Sequence, residues 1–247
     1  MNTLKRLSAH CLSGCCLIAL ATASTTVQAT QPTSYPKAKK ELVKLYQGKL
    51  KDQTTIYCEA PIKWQGKKGL PELDRIGYQV RKQPTRANRI EWEHVMPAYN
   101  IARQGNLACW KEGGRKNCSK NDPWFRKAEA DMHNLFPSIG EVNGDRSNYR
   151  FSAWRGNPGM DMYGNCPMKI DFKNKQAEPP DGAKGTAARA YLYMSDQYGI
   201  SLSKEQSRLL SAWDRMYPAT KHECARHSEV AKVMGVQNQY VVRSCGK

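Results

Sequence analysis

The chain has 247 residues, with 39 Lys and Arg against 22 Asp and Glu, and a net charge of +17 at pH 7. Such an excess calls for an anionic partner, nucleic acid or an anionic surface, with solubility alone as the plain alternative. Past the first residues no apolar stretch approaches membrane-spanning length, which argues against an integral membrane protein.

Residues 1–29 read as an export signal. Lys5 and Arg6 form a positive n-region, "CLIALATA" is apolar but too short to span a bilayer, and "VQA" ending at Ala29 fits a small-residue cleavage site. The rival reading is lipoprotein acylation at Cys15 in "LSGC", weakened because most of the apolar run follows that cysteine. Removing the leader, which holds two basic and no acidic residues, leaves 218 residues at +15, enough for one well-buried domain over 30–247. Six cysteines remain, with no C-x-x-C and no zinc-like Cys/His spacing, which reads as disulfides in an oxidising compartment, periplasmic or extracellular.

After a polar lead-in, "PKAKKELVKLYQ" has helical spacing at Ala38, Leu42 and Leu45. Strand-like pieces follow at "TTIYCEAPIKW", "IGYQVR" and "RIEWEHV", separated by the turn-prone "QGKKGLPELD" and "KQPTRAN", a pattern of short antiparallel sheet. A helix is then expected with Asp122 as cap, Pro123 at its first position and a stripe of Phe125, Ala128, Met132 and Leu135 before Pro137 stops it. Ser138 and Glu141 suggest a capping box opening a shorter helix. Residues 155–167 and 174–185 read as loops. A helix with Ala187, Ala190, Tyr191, Met194 and Tyr198 on one face stops at Gly199, Ser203 and Gln206 cap another carrying Leu209, Leu210 and Trp213, and Thr220 and Glu223 cap one more. These stripes read as core.

The chemically unusual stretch is "RIEWEHVMPAYN", where Glu91, Glu93 and His94 sit in an otherwise apolar strand stopped by Pro97. Buried carboxylates demand a cation, so the stretch asks for a metal, a partner or a substrate. Four histidines past the leader, none spaced H-x-x-x-H, point to a hard ion such as Mg²⁺, which takes one or two carboxylates and leaves room for a phosphate. His94 could then take a proton from water. Strand alternation sends Glu93 and His94 to opposite faces, so both serve one site only if the strand bends or ends there; a structural role for the pair stays open. Asn143 in "GEVNGDRSN" offers a neutral oxygen ligand with Asp145 close by, unless Asn143 and Asn148 merely serve the helix end or turn. In "GGRKNC", Arg115 is a candidate phosphate fork held between Cys109 and Cys118, a solvated basic loop being the alternative.

Four stretches, "IYCEAPIKWQGKKGLPELDRIGYQVRKQPTRANRIEWEHVMPA", "GGRKNCSKNDPWFRKAEADMHNL", "GEVNGDRSN" and "AARAYLYMSDQYGISLS", closely resemble the bacterial periplasmic and secreted endonuclease I family, nonspecific nucleases of Gram-negative bacteria. The resemblance runs in order through nearly the whole chain after the leader. It implies an α+β, mostly helical fold with short antiparallel strands around a ββα-metal (His-Me finger) motif. It also implies Mg²⁺-dependent cleavage of DNA, with RNA attacked by some members and Mn²⁺ or Ca²⁺ as other candidate ions. Carried over by motif, Glu93 and Asn143 correspond to the metal ligands, His94 to the general base, Arg115 to a phosphate-contacting arginine, and Glu129 of "KAEADMHN" to a further active-site acid. Arg89 and Lys116 join Arg115 as nucleic-acid contacts, and a salt bridge to a basic neighbour is the first reading of Glu91.

The departures matter too. Many relatives have "YCGC" where this chain has Tyr57, Cys58, Glu59 and Ala60, and "CGY" where it has Ile76, Gly77 and Tyr78, so two cysteines are missing together. What remains implies Cys58–Cys166, Cys109–Cys118 and Cys224–Cys245, one of about fifteen pairings that six cysteines allow. Around "YNIARQGNLACW" the chain is longer and less typical than in relatives, altering one wall of the expected cleft. The leading expectation is an exported monomeric nonspecific endonuclease that binds backbone phosphate, its affinity falling steeply with salt; the runner-up is a noncatalytic, disulfide-stapled nucleic-acid binder.

Overall fold

A computed structural model describes residues 31–105, 107–154 and 162–246, so the leader read at 1–29 lies outside the described residues. Helix α1 (Tyr35–Gln47) buries Ala38, Leu42 and Tyr46 along one stripe. A helix of this length is marginal alone, so its packing against Trp92, Leu135, Val230 and Met234 is what holds it.

An antiparallel hairpin follows, β1 (Ile62–Gln65) and β2 (Lys68–Pro71), turning at Gly66 with a positive φ of 56°. This corrects the strands expected from the sequence. Part of "QGKKGLPELD" is strand, while residues 54–61 lie outside any strand, with a turn at 56–58, and "IGYQVR" supplies only a single bridge from Tyr78 to Gly164. Thr55 and Tyr78 are buried through side-chain hydrogen bonds, to the Ala60 N–H and the Glu141 carboxylate, so their β-like composition reports burial and not a ladder.

Next come the short helix α2 (Pro84–Ala87), strand β3 (Ile90–His94), and helices α3 (Ala98–Gln104), α4 (Leu107–Asn121) and α5 (Pro123–Glu129). Asp122 caps α5 by accepting the Phe125 N–H at 3.0 Å, as expected. The helix does not run on to Pro137. Asp131 captures the His133 N–H and the Tyr193 and Tyr198 hydroxyls, the chain makes one 3₁₀ turn at Met132–Asn134, and Leu135–Ile139 form strand β4.

Strands β3 and β4 pair antiparallel, Glu91 opposite Ser138 and His94 opposite Leu135, and α6 (Gly140–Arg146) leaves β4 directly. The expected capping box does not form. Ile139 holds the cap position, and Glu141 instead accepts the backbone N–H groups of Arg81, Lys82 and Gln83, pinning the segment before α2 to α6. Those three bonds outweigh burial and keep the Glu141 carboxyl below its ordinary range.

A small sheet of β5 (Arg150–Phe151), β6 (Lys169–Asp171) and β7 (Gln176–Glu178) has the order β5-β7-β6, with β5 parallel to β7. Of the two expected loops, 174–185 therefore holds β7 and the start of α7 (Asp181–Tyr198), and most of 155–167 lies outside the described residues. Helix α7 ends at Gly199, φ 63°, but it is buried on nearly every side because its alanines let neighbours approach closely. Helices α8 (Lys204–Met216) and α9 (Lys221–Met234) carry the expected Ser203 and Thr220 caps, and α10 (Gln239–Cys245) closes the chain. The fold is thus α+β, mostly helix with short and mainly antiparallel strands. Disulfides join Cys58 to Cys166, Cys109 to Cys118 and Cys224 to Cys245, the pairing that the resemblance implied. No helix among the described residues is long and apolar enough to cross a membrane.

Candidate active site

The end of β3, the first two turns of α6, the start of α1 and the middle of α4 surround a cleft of about 530 Å³, lined among others by Glu91, Glu93, His94, Arg115 and Asn143. The strand ends at His94, which resolves the alternation problem. His94 reaches the cleft from the α1 side, its ring 4.9 Å from that of Tyr35, and Glu93 from the side of Tyr57 and Arg146. The fully buried Arg146 fixes this corner by donating to the His94 and Val95 carbonyls at 3.1 and 2.5 Å, where the ladder stops. Asn134 holds the next residue, exchanging hydrogen bonds with the Met96 backbone.

His94 has a defined tautomer. Its Nε2 lies 2.8 Å from the Glu129 carbonyl oxygen, an acceptor only, and 3.5 Å from the Arg115 guanidinium, a donor only; the shorter contact assigns the proton to Nε2 and leaves Nδ1 as the base. Burial, then the Arg115 charge, push the imidazole down to about 3 against that hydrogen bond, so it is neutral at neutral pH. Glu93 is buried as well. Oε1 accepts the Tyr57 hydroxyl at 2.8 Å and lies 3.2 Å from the Arg146 guanidinium, while Oε2 has no hydrogen bond among the described residues. Burial raises its carboxyl to about 6, with Arg146 and Tyr57 opposing.

Glu91 behaves differently. Arg86 grips both its oxygens, Arg89 adds two contacts to Oε1, and Asn143 Nδ2 donates to Oε2 at 2.7 Å. Burial works against ionisation here, but these hydrogen bonds win and hold the carboxyl low. The salt-bridge reading of Glu91 is therefore the observed one. Its bond to Asn143 also orients that amide, leaving Oδ1 as the acceptor end. Gly140 and Gly144, one helical turn apart, make room for this arrangement, since a Cβ on either would strike Arg86.

Arg115 follows a kink in α4 at Gly113 and Gly114, the latter at φ 64°, so the expected glycine-rich loop is a break between two helical stretches. Its Nε donates to Glu129 Oε2 at 3.0 Å, and its guanidinium lies 4.4 Å from the Tyr35 ring centroid. Ser119 donates to the other Glu129 oxygen at 2.5 Å.

Not every expected residue reaches the cleft. Glu129 does not line it; with both oxygens occupied its side chain holds Arg115, and its carbonyl holds His94. Lys116 is exposed and Arg89 is tied to Glu91, both outside the lining. In their place the cleft takes Tyr35, Lys39 and Arg86, with Tyr57 and Arg146 behind Glu93. Arg146 stands three residues after Asn143, on one helix face with it, a signal the sequence does contain. Tyr35 and Lys39 are invisible locally, because only the docking of α1 brings them here.

The donor set suits a hard divalent cation. It offers one carboxylate oxygen and one amide oxygen, and no group of three or more His, Cys, Asp or Glu placed to hold a metal occurs among the described residues. Zinc would need such a group, whereas Mg²⁺ accepts few protein ligands and keeps its waters.

A family model described as Endonuclease I matches residues 20–245. The chain is 50% identical to a periplasmic deoxyribonuclease of Aeromonas hydrophila over 90% of its own length and 91% of the relative's. It is 51% identical to an extracellular deoxyribonuclease of the same organism, covering 86% and 90%. Similarity extends to an Endonuclease-1 of Buchnera aphidicola, 50% identical over 78% of each chain.

Proposed function

The chain belongs to the endonuclease I family, and from that membership and the cleft we propose an exported nonspecific endonuclease that hydrolyses phosphodiester bonds in DNA, with RNA as the alternative substrate to be tested. The observation that carries the chemistry is the His94 tautomer: Nε2–H fixed on the Glu129 carbonyl, Nδ1 free in a cleft beside an incompletely bonded carboxylate. The segment β3–β4–α6 serves as the ββα-metal, or His-Me finger, motif. The working unit is residues 30–247 as a monomer, released into the periplasm or beyond after removal of 1–29.

Glu93 Oε2 and Asn143 Oδ1 are the oxygens suited to hold a divalent ion, Mg²⁺ first, with Mn²⁺ or Ca²⁺ as substitutes. Once held, the ion supplies positive charge to the scissile phosphate and its leaving oxygen. His94 Nδ1 takes a proton from a water as that water's oxygen bonds to phosphorus, and the bond to the leaving oxygen breaks on the opposite side. The neutral imidazole has its Nδ1 lone pair available, and an anionic phosphate in the cleft offsets the Arg115 charge that adds to burial in lowering its basicity. Arg115 offers its fork to the phosphate oxygens while Glu129 and the Tyr35 ring hold it still. Lys39 and Arg86 add charge along the lining, and the absence of any requirement for base contacts fits cleavage at any sequence.

The test is incubation of oxidised protein with supercoiled plasmid and Mg²⁺, alongside EDTA and His94→Ala lanes. Degradation confined to the Mg²⁺ lane of unaltered protein is the expected result. Plasmid that is retarded but uncut in every lane would replace the nuclease with the noncatalytic binder.

A further inference from the structure

Next to the cleft lies a second concavity of about 270 Å³ with a different character. No carboxylate lines it. Its charged residues are Arg103 from α3 and Arg150 from β5, and neither guanidinium has a carboxylate partner among the described residues. The three amides at its rim are already engaged. Asn100 Nδ2 reaches the Tyr191 hydroxyl at 3.4 Å, Gln104 Nε2 the Ser201 carbonyl at 3.4 Å, and Gln206 Nε2 the Phe151 carbonyl at 3.2 Å. These tethers hold the rim in place, while Arg103, its guanidinium 6.0 Å from the Tyr99 ring centroid, and Arg150 are both exposed.

The two concavities share their dividing walls. Pro97, Ala98 and Ser147 face the catalytic cleft, and Met96, Asn100 and Arg150 face the second pocket. Arg103 lies five residues beyond Ala98 in α3, and Arg150 three residues beyond Ser147.

We infer that the second pocket is a phosphate subsite for the same nucleic-acid strand, with Arg103 and Arg150 engaging the backbone beyond the nucleotides at His94. This rests on the nuclease reading above. Its ligand is a phosphodiester within a polynucleotide, because two guanidinium groups without a carboxylate form an electrostatic groove for a polyanion. The consequence is a preference for long substrates over short ones.

Duplex affinity is measured against salt in the His94→Ala background, where the strand is not cut. Each arginine contributing a phosphate contact contributes about 1 to the slope of log affinity against log salt. Replacing both with glutamine, Arg103→Gln and Arg150→Gln together, is expected to flatten that slope by about 2 and to weaken binding near physiological salt by about tenfold or more. The corresponding lysine pair keeps the slope, since charge is what the subsite uses. If the double glutamine variant fails to fold, each single variant reads a flattening of about 1. An unchanged slope overturns the inference, and so does an equal loss in the lysine pair, which would reveal a packing role. Inorganic phosphate that displaces duplex from the unaltered pocket as far as the double variant does would identify a free-anion site and overturn it too. Plasmid cleavage by the unaltered enzyme is scored separately: its absence defeats the nuclease reading, whereas cleavage with an unchanged slope defeats only this subsite.

Discussion

Among the described residues two arginine–carboxylate pairs lie buried on both sides, and they are finished to different degrees. Between α7 and α9, Arg189 meets Glu223 as a two-pronged fork at 2.7 and 2.6 Å; the Thr186 hydroxyl adds a bond to Glu223, and the Tyr217 carbonyl accepts the remaining arginine nitrogen. At the cleft, Arg146 approaches Glu93 through one contact at 3.2 Å, its Nε has no partner, and Glu93 Oε2 makes no hydrogen bond among the described residues. A closed pair can only hold two helices together. The open one retains bonding capacity in a place where burial is costly, and that capacity has a use only when something else enters.

The widest separation of the two pairs should come from removing one carboxylate at a time. Glu93→Gln is expected to lower plasmid cleavage at least a thousandfold while shifting the denaturation free energy by no more than about 1 kcal/mol, because burial already disfavours that carboxylate. Glu223→Gln removes both prongs of the fork, leaves Arg189 only the Asp214 carboxylate at 3.3 Å, and should cost about 3 kcal/mol of stability. Urea unfolding paired with a cleavage assay reads both numbers. Equal stability losses would erase the distinction drawn here.

The disulfides divide in the same way. In the chain-entropy account the bridge from Cys58 to Cys166, closing 108 residues, contributes about 5 kcal/mol, and that from Cys109 to Cys118, closing nine, about 3 kcal/mol. Activity should rank them oppositely. The short bridge brackets Arg115, so replacing its cysteines with serine is expected to reduce turnover of the still-folded enzyme about tenfold, whereas the long one, where the variant remains folded, acts mainly on the unfolding midpoint. Cleavage and thermal unfolding of the two serine pairs decide it.

How legible each region was follows from how local its causes are. Asp122, Ser203 and Thr220 each accept the N–H three residues on, so a short window of sequence suffices to place those helix starts. The strand Leu135–Ile139 is hidden in the sequence because Leu135 fits the helical period, Pro137 reads as a stop signal and Ser138 as a cap; only the partner β3, some 45 residues earlier, makes it a strand. At the site, the resemblance pointed to Glu93, His94, Asn143 and Arg115, and they do share one cleft. Glu129 was assigned to the site without its actual contacts, since nothing in "KAEADMHN" tells that Ser119 and Arg115 occupy its oxygens. Tyr35 was not seen at all, being a contribution of tertiary docking.

The open pair should also set the acid limit of catalysis. Glu93 is raised to about 6 by burial and His94 lowered to about 3, so on acidification the carboxylate protonates first and the base remains neutral. Below about pH 6 the apparent Mg²⁺ affinity is expected to fall about tenfold per pH unit, as a proton competes for the ligand. Raising Mg²⁺ should therefore move the acid limb of the cleavage profile to lower pH. A limb indifferent to Mg²⁺ would belong to some other group.

The smallest effect expected concerns the wall that holds the catalytic side chains from outside. The Tyr35 ring sits against the His94 imidazole on one side and under the Arg115 guanidinium on another, while its hydroxyl makes a long 3.4 Å contact with the Trp92 carbonyl and also interacts with Arg115. The ring therefore does most of the positioning, and the hydroxyl a minor part. Tyr35→Phe should retain nearly full kcat, and Tyr35→Ala should lose about tenfold in kcat as both side chains gain freedom, a change of about 1.4 kcal/mol in the barrier. The Phe rescue is the informative arm, because a phenol acting in proton transfer would fail with Phe as badly as with Ala. A loss confined to KM would instead place Tyr35 in substrate binding, leaving Glu129 and Arg146 to position the catalytic groups.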